Sequence, residues 1–384
     1  MKFDKIRILG SSFTDEEYHL YRLDQLKDPE NAVRFMSHRQ NNAIFRPAVN
    51  RGFQQHFLED KWVTQVFLAN LNLPVAKTHG LFHPQFGTTM SGAPMSKSAH
   101  LIQLIEEELP LRLVFKPRGG RKGRNIILAD IAKGNTGTIE VRTSGGIQSL
   151  DVFLTTLPQD AFDDYEGCYH GWLVQEYIQQ HSFMNEINPH TVNSIRVVTF
   201  IDSANNVQVH LAALRLGRQG SVADNWDKGG ISVFIDPQTG ILGRGVFKPR
   251  YGGAWVSRHP DTDVRFEGER LPEWASVVAL CQQAAATLSG IRAVGWDIAL
   301  TPDGPMIIEG NATWGLPVVQ VHTRGILTPE FRRELTQLGA QFPERLRPLP
   351  LALLALLVYQ WQRSRGPRIV QRWQQALMQR FPFP

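Results

Sequence analysis

Two carboxylates and an amide grouped on one hairpin can hold a hard cation. In "GWDIALTPDGPMIIEGN", Asp297 lies on one side of the turn signal Pro302-Asp303-Gly304, and Glu309 and Asn311 lie on the other, each within a β-prone run. A hairpin centred on Asp303 sets Asp297 directly opposite Glu309. Facing side chains of a strand pair have Cβ atoms about 4.5–5.5 Å apart, and two carboxylates held that close repel unless a cation lies between them. Asn311 shares the parity of Glu309 and adds a neutral carbonyl oxygen. Three such oxygens suit Mg²⁺, which takes one or two carboxylates together with phosphates and water. The alternative is a solvent-facing hairpin whose acids never meet.

A second stretch suits the opposite charge. "LVFKPRGGRKGRNIILADI" delivers Lys116 from a strand into a loop containing Gly119, Gly120 and Gly123 and four further basic residues. A compact ammonium suits a phosphate oxygen, and glycines let backbone N–H groups approach one closely. Positioning and charge neutralisation on oxygens are the parts that phosphoryl transfer needs. A plain turn with solvated Arg121, Lys122 and Arg124 is the alternative. Arg196 and Arg215 lie in the apolar β runs "NSIRVVTF" and "LAALRLG", where an arginine is costly unless paired or facing a ligand. Either each pairs with an acid from a neighbouring strand, or both face substrate. "SVADNWDKGGIS" follows Arg215 and is rich in turn residues. Its Asn225 and Lys228 are candidates for choosing the substrate, with an ordinary loop as the other reading.

No G-x-x-x-x-G-K-[ST] phosphate loop occurs, and the protein-kinase HRD and DFG triplets are absent. The two cysteines, Cys168 and Cys281, form neither a disulfide framework nor a zinc spacing, which points to a reducing compartment. The start "MKFDKIRILGSS" has no apolar run of signal-peptide length, and no stretch reaches the roughly 18 apolar residues that span a bilayer. A cytoplasmic protein is expected.

These residues need strands to hold them. Residues 1–60 read as a mainly helical, polar segment with Thr14 as an N-cap. Trp62, Val66, Leu68, Ala69 and Leu73 then form an apolar stripe at helical spacing, ended by Pro74. Residues 84–98 are a loop by composition, and 111–141 are short strands around the glycine-rich turn. A strand follows at Trp172–His181, a long hairpin at Asn193–Gly217 with its turn at Asp202–Asn206, and another hairpin turning at Pro237–Gly240. The amphipathic helix 273–289 is closed by Gly290.

The net charge of +5 belongs to the C-terminal end. Residues 345–384 carry seven arginines and no acid, whereas residues 1–344 carry 34 basic against 36 acidic side chains. No basic face interleaved with aromatics marks the body, so nucleic acid is not an expected partner. The tail from Leu346 holds an apolar run of about a dozen residues, too short to span a membrane. Beyond it Ile369, Trp373, Leu377 and Phe381 recur every four residues beside Arg363, Arg365, Arg368, Arg372 and Arg380. That composition fits peripheral contact with an anionic membrane face. A terminal helix packed on the body or on a second copy is the alternative.

Taken together, Lys116 with its glycine loop, "VQEYI", the arms "NSIRVVT" and "AALRLG", and "GWDIA…IIEGNATWG" resemble the ATP-grasp superfamily. The order and spacing are most similar to its sugar-transfer-associated branch, with glutamate ligases and D-alanyl-D-alanine ligases as more distant relatives. The resemblance covers roughly residues 45–330. It implies an α+β fold in which two lobes built on antiparallel sheets hold ATP between them, flanked here by a helical N-terminal segment and a basic helical tail. The corresponding division is 1–60 N-terminal segment, 61–110 N-terminal lobe, 111–178 lid subdomain, 179–330 subdomain with the metal hairpin, and 331–384 tail.

The resemblance also implies roles. Lys61 and Lys116 would approach the nucleotide phosphates beneath the lid glycines Gly119, Gly120 and Gly123. Gln175, Glu176, Tyr177 and Ile178 would form the linker along adenine, with Glu176 accepting from its exocyclic amine. Arg196 and Arg215 would act at the γ-phosphate and the acyl phosphate, and Asp297, Glu309 and Asn311 would hold Mg²⁺, as two ions. Where many relatives place an acid for the ribose, this chain has Gln179, Gln180 and His181, leaving His181 as the candidate. The implied chemistry is ATP-dependent joining of a small-molecule or peptide carboxylate to an amine through an acylphosphate, releasing ADP and phosphate. Phosphoryl transfer to a hydroxyl and a non-catalytic ATP-binding module are the alternatives.

Overall fold

The computed structural model describes residues 2–50, 55–120, 123–135, 137–158, 169–221, 223–288 and 290–359. Arg121, Lys122, Cys168 and the arginine-rich residues beyond 359 lie outside the described residues. The chain divides into two compact units, Met1–Phe45 with Thr323–Pro384, and Arg46–His322.

The first unit is helical in short pieces. Thr14 caps the helix Asp15–Leu20 with a reciprocal capping box to Glu17, its hydroxyl accepting from Glu17 N–H at 3.1 Å while the Glu17 carboxylate accepts from Thr14 N–H at 2.8 Å. The helix Lys2–Gly10 precedes it, and 3₁₀ turns at Leu23–Gln25 and Pro29–Arg34, a helical turn at His38–Gln40 and a π turn at Asn41–Phe45 follow. The later helix Pro329–Gln337 buries Phe331 and Leu335, and its Arg332 donates to the Val33 carbonyl. A final helix occupies 349–359.

Among the described residues the second unit holds fourteen strands. In chain order these are β1 Thr78–Phe82, β2 Thr88–Thr89, β3 Leu111–Pro117, β4 Ile127–Lys133, β5 Ile139–Thr143, β6 Gly146–Ser149, β7 Trp172–Glu176, β8 Ser194–Ile201, β9 Val207–Leu216, β10 Ile231–Ile235, β11 Leu242–Val246, β12 Trp255–Val256, β13 Ala293–Thr301 and β14 Gly304–Asn311. They form two antiparallel seven-stranded sheets, β2-β1-β7-β3-β4-β5-β6 and β12-β11-β10-β9-β8-β13-β14. The α+β architecture with antiparallel sheets is the one expected.

Each sheet is greasy on one face and polar on the other, as the period-2 side-chain alternation of strands dictates. In the second sheet Ile195, Val197, Leu214, Val294, Trp296 and Ile298 pack with Val277, Cys281 and Ala284 of the helix Trp274–Ala286. The residues between them in sequence, Ser194, Arg196, Arg215 and Asp297, therefore project from the opposite face. In the first sheet Leu113, Phe115 and Val174 pack with Leu101, Ile105 and Phe153 from two helices, leaving Lys116 and Gln175 on the other face.

One helix departs from its expected pattern. Lys61–Asn70 stops short of Pro74, because Asn72 takes a left-handed φ of 56° that ends the helical path. Its buried positions are Thr64, Gln65 and Leu68; of the expected stripe Leu68 is buried, as is Leu73 beyond the helix, whereas Trp62, Val66 and Ala69 are half-buried. Gln65 is buried because its amide donates to the Ala76 carbonyl at 2.8 Å.

Candidate active site

Two strand bulges assemble the polar face. The β13–β14 turn is tighter than expected: Pro302 and Asp303 alone form it, with Thr301 facing Gly304. That register would send Glu309 to the wrong face, opposite Trp296. The pairing shifts by one between Ile298↔Ile307 and Asp297↔Glu309, leaving Ile308 as the extra residue of a bulge. The expected opposition of Asp297 and Glu309 holds because the shorter turn and the bulge cancel. Likewise, in the β8–β9 hairpin the register slips at His210, between Val198↔Leu211 and Thr199↔Val209. Without that slip Arg215 would face away from Arg196. With it, Arg215 lies opposite Ser194, two residues from Arg196 and on the same face.

Asp297 is the point where the arginines converge. Arg196 stands directly across from it on β8 and grips it with Nε on Oδ1 at 2.5 Å and Nη2 on Oδ2 at 3.0 Å. Arg215 Nη1 donates to Oδ2 at 2.8 Å, and its Nη2 donates to Asp224 Oδ1 at 2.8 Å. The pairing with a neighbouring acid that the sequence left open is thus formed on the site face itself. Burial pushes the Asp297 carboxyl up, but the Arg196 and Arg215 charges outweigh it and hold it well below the usual carboxylate range. Arg215 in turn is raised above its ordinary value against its own burial by Asp224, Asp297 and Glu309. Gly295, facing Asn311, leaves space that Arg196 uses: a Cβ there would meet Trp314 Cβ at 2.4 Å and Arg196 Cδ at 3.4 Å.

Asn311 donates its amide to Glu309 Oε1 at 3.2 Å and to the Gly295 carbonyl at 3.4 Å, so Glu309 and Asn311 stand together. Among the described residues no group of three or more His, Cys, Asp or Glu side chains could hold a metal. The hairpin offers two carboxylates and an amide oxygen, a donor set that fits Mg²⁺ when phosphate and water supply the remaining positions.

Lys116 faces this cluster from the first sheet. Burial and the charge of Lys61 pull its pKa down while Glu309 pulls it up, the balance settling at about 8. Lys61 Nζ donates to the Gly120 carbonyl, so the first lysine is moored to the glycine loop. The same loop is anchored by Arg118, whose guanidinium forks onto Asp60 at 2.9 and 2.6 Å. Asp60 also caps the Lys61–Asn70 helix at Trp62 and Val63 N–H. Gly120 N–H closes a turn on the Pro117 carbonyl at 3.3 Å, and Gly119 is buried beside it. Gly123 takes φ +61°, with Ala223 Cβ 3.2 Å from where a Cβ would stand.

The linker residues are partly committed to the sheet. Gln175 is buried and donates to Thr78 Oγ1 at 2.9 Å. Glu176 N–H donates to the Lys77 carbonyl at 2.9 Å and Tyr177 N–H to the Arg112 carbonyl at 3.0 Å. The Glu176 carboxylate pairs with Lys77 at 2.6 Å and lies 3.4 Å from His79 Nε2. Ile178 follows, half-buried. His181 ends this run as a helix cap, its Nδ1 accepting from Phe183 N–H at 3.1 Å and its own N–H donating to the Leu300 carbonyl at 2.8 Å.

In the loop after Arg215, Asn225 is buried, and its Oδ1 caps a 3₁₀ turn at Asp227 N–H, 2.8 Å away. Lys228 is exposed and reaches the Gly123 carbonyl at 3.4 Å. The residue tying this loop to the arginines is their neighbour Asp224, which sequence reasoning passed over. Asp224 accepts from Arg215 and, through Oδ2, from Ser194 N–H at 2.8 Å and from the Ser194 hydroxyl. Burial raises its pKa. Asp60, Arg118, Lys77 and His79 were also missed. An aspartate immediately before Lys61, at a helix start, was the available signal for the first.

Comparison with known proteins adds the family. A family model described as sugar-transfer associated ATP-grasp matches residues 40–334. No curated protein sequence matches. Among solved structures, an ADP complex of N5-carboxyaminoimidazole ribonucleotide synthetase is 10% identical at TM-score 0.38, covering 68% of this chain and 46% of its own. An L-amino acid ligase from Bacillus licheniformis is 12% identical at TM-score 0.39, covering 77% and 52%. A biotin carboxylase from Campylobacter jejuni is 12% identical at TM-score 0.43, covering 77% and 49%. The chain thus spans about half the length of these structures. The family model covers well over half of the sequence, so this chain belongs to the sugar-transfer-associated ATP-grasp family.

Proposed function

We propose that this chain is an ATP-dependent carboxylate–amine ligase working through an acylphosphate, and the observation that carries the reading is the convergence of Arg196 and Arg215 on Asp297 beside Glu309, Asn311 and Lys116. Phosphoryl transfer needs positive charge fixed around the transferring group and a hard cation on its oxygens. Here one sheet supplies the arginines and acids, the other supplies Lys116, and the helix Lys61–Asn70 supplies Lys61.

In this reading Asp297, Glu309 and Asn311 would hold Mg²⁺, which when bound would neutralise phosphate oxygens. Lys116 and Lys61 place the triphosphate. A substrate carboxylate oxygen attacks the γ-phosphorus, the bond to ADP breaks, and ADP leaves. An amine nitrogen then attacks the acyl carbon, the acyl–phosphate bond breaks, phosphate leaves, and the nitrogen loses its proton to solvent. Arg196 and Arg215 stabilise charge on the transferring phosphoryl group and on the tetrahedral oxyanion. The glycine loop excludes water from the intermediate.

The test is hydroxamate formation, measured by mass spectrometry with ATP, Mg²⁺, hydroxylamine and pooled carboxylic acids, scoring ADP against AMP. Hydroxamate with ADP, lost in Glu309→Gln, supports the ligase and names the acid. ADP without hydroxamate favours a hydroxyl acceptor or idle hydrolysis, and no nucleotide turnover with any pool favours a binding module.

A further inference from the structure

Residues 349–359 form a helix whose sides are unlike. Ala352 packs directly on Gly10, where an added Cβ would lie 2.5 Å from the Ala352 Cβ, and Tyr359 lies under Arg39 at 3.7 Å. At 100° per residue the remaining arc of about 160° carries Leu351, Leu353, Leu354, Leu357 and Val358. All five are exposed, between 44% and 62%. Five contiguous large aliphatic side chains with no polar residue among them form a patch of the kind that marks an interaction site.

The rim of that patch is positive. Arg345 and Arg347 are exposed just before the helix, and Arg39 and Arg347 line a shallow groove along its aliphatic face. From residue 345 to the end of the sequence there are seven arginines and no acid. An aliphatic face bordered by arginine fits acyl chains beneath anionic headgroups. It does not fit a second copy of itself, because pairing two such faces sets arginine against arginine. The helix is too short to cross a bilayer, and no helix among the described residues is long and apolar enough to do so.

We propose that helix 349–359 is a membrane-surface anchor, lying in the interface of an anionic lipid bilayer with Leu353 and Leu357 in the acyl region and the arginines at the headgroups. This differs from the sequence expectation, which placed the membrane-facing stripe at Ile369–Phe381. It is independent of the ligase reading.

The experiment is vesicle flotation of the full chain with phosphatidylcholine vesicles and with vesicles of phosphatidylcholine mixed with phosphatidylglycerol. The chain is expected to float with the anionic vesicles, to release as salt is raised, and to lose roughly tenfold in partitioning in the double variant Leu353→Gln/Leu357→Gln, since each buried methylene counts. Thermal unfolding by circular dichroism checks that this variant folds, and Val358→Ser, a smaller change on the same face, serves if it does not. Failure of the unaltered chain to float on anionic vesicles overturns the proposal. So does flotation that neither variant weakens, which would assign binding to the arginines beyond residue 359. A concentration-dependent dimer in sedimentation velocity that L353Q/L357Q abolishes would assign the face to self-association and overturn it equally.

Discussion

Arg196 holds Asp297 through a two-point fork from the directly facing position on the neighbouring strand, at 2.5 and 3.0 Å. Arg215 adds a third bond to the same carboxylate. Asp297 therefore neutralises two buried guanidiniums by direct ion pairs, whereas Glu309, half-buried and bonded to Asn311, acts on Arg215 through its charge.

The two acids of the hairpin should fail differently when neutralised. Asp297→Asn leaves Arg196 without its counter-charge and Arg215 with Asp224 alone, and should destabilise the fold by about 3 kcal/mol, because breaking a buried pair strands its partner. Glu309→Gln should change stability by less than about 1 kcal/mol while removing Mg²⁺-dependent nucleotide turnover. Urea denaturation of both variants, alongside ATP turnover, checks this. Equal destabilisation would show that Glu309 is also a structural partner.

With the phosphate role proposed for Lys116, nucleotide binding should depend on pH. In the free protein its pKa is about 8 rather than 10.5, with burial as the main cause. Below pH 8 the ammonium is charged and ready for phosphate; above it the free form is increasingly neutral. Phosphate favours the charged form and raises the pKa, so binding takes up a proton between about pH 8 and the ordinary lysine range. Affinity for ATP should fall by up to about tenfold per pH unit across that window. Calorimetry in buffers of different ionisation enthalpy should report the proton uptake. Lys116→Arg, which stays charged throughout, should flatten the profile.

The strand alternation that separates the polar face from the apolar one was legible from sequence. Val294, Trp296 and Ile298 alternate with Gly295, Asp297 and Ala299, and burial fixes which set points to the helix. The face shared by Arg196 and Arg215 was not legible, because it hangs on a single bulge at His210. A one-residue slip reverses every side chain beyond it, and no residue type marks the slip. At the Asp297–Glu309 hairpin a similar uncertainty cancelled itself. Asp224 was hidden for another reason: it lies in an irregular loop, where no period ties a residue to a face.

Asp224 should act as a positioning residue for Arg215. It holds one end of the guanidinium while Asp297 holds the other, and Ser194 fixes the Asp224 carboxylate. Asp224→Asn should lower kcat with little change in KM for ATP, because the arginine loses its orientation while Lys61 and Lys116, the residues proposed to place the triphosphate, are untouched. A double-mutant cycle with Arg215→Lys should give a coupling of about 1–3 kcal/mol in stability. A coupling near zero would mean that Asp297 alone orients Arg215.

Asp60 links the helix that begins at Lys61 to the glycine loop. Its carboxylate caps Trp62 and Val63 N–H and accepts both arms of the Arg118 fork, while Lys61 bonds the Gly120 carbonyl from the other side. Asp60→Ala removes a cap worth about 1 kcal/mol and leaves Arg118 without its partner, so the loop loses one of its moorings. Asp60→Ser keeps a capping oxygen but not the charge. The Ala variant should lose both stability and ATP affinity, whereas the Ser variant should recover most of the stability and little of the affinity. Paired thermal melts and ATP titrations separate the two effects, and full recovery of affinity in Asp60→Ser would show that the Arg118 fork does not position the loop.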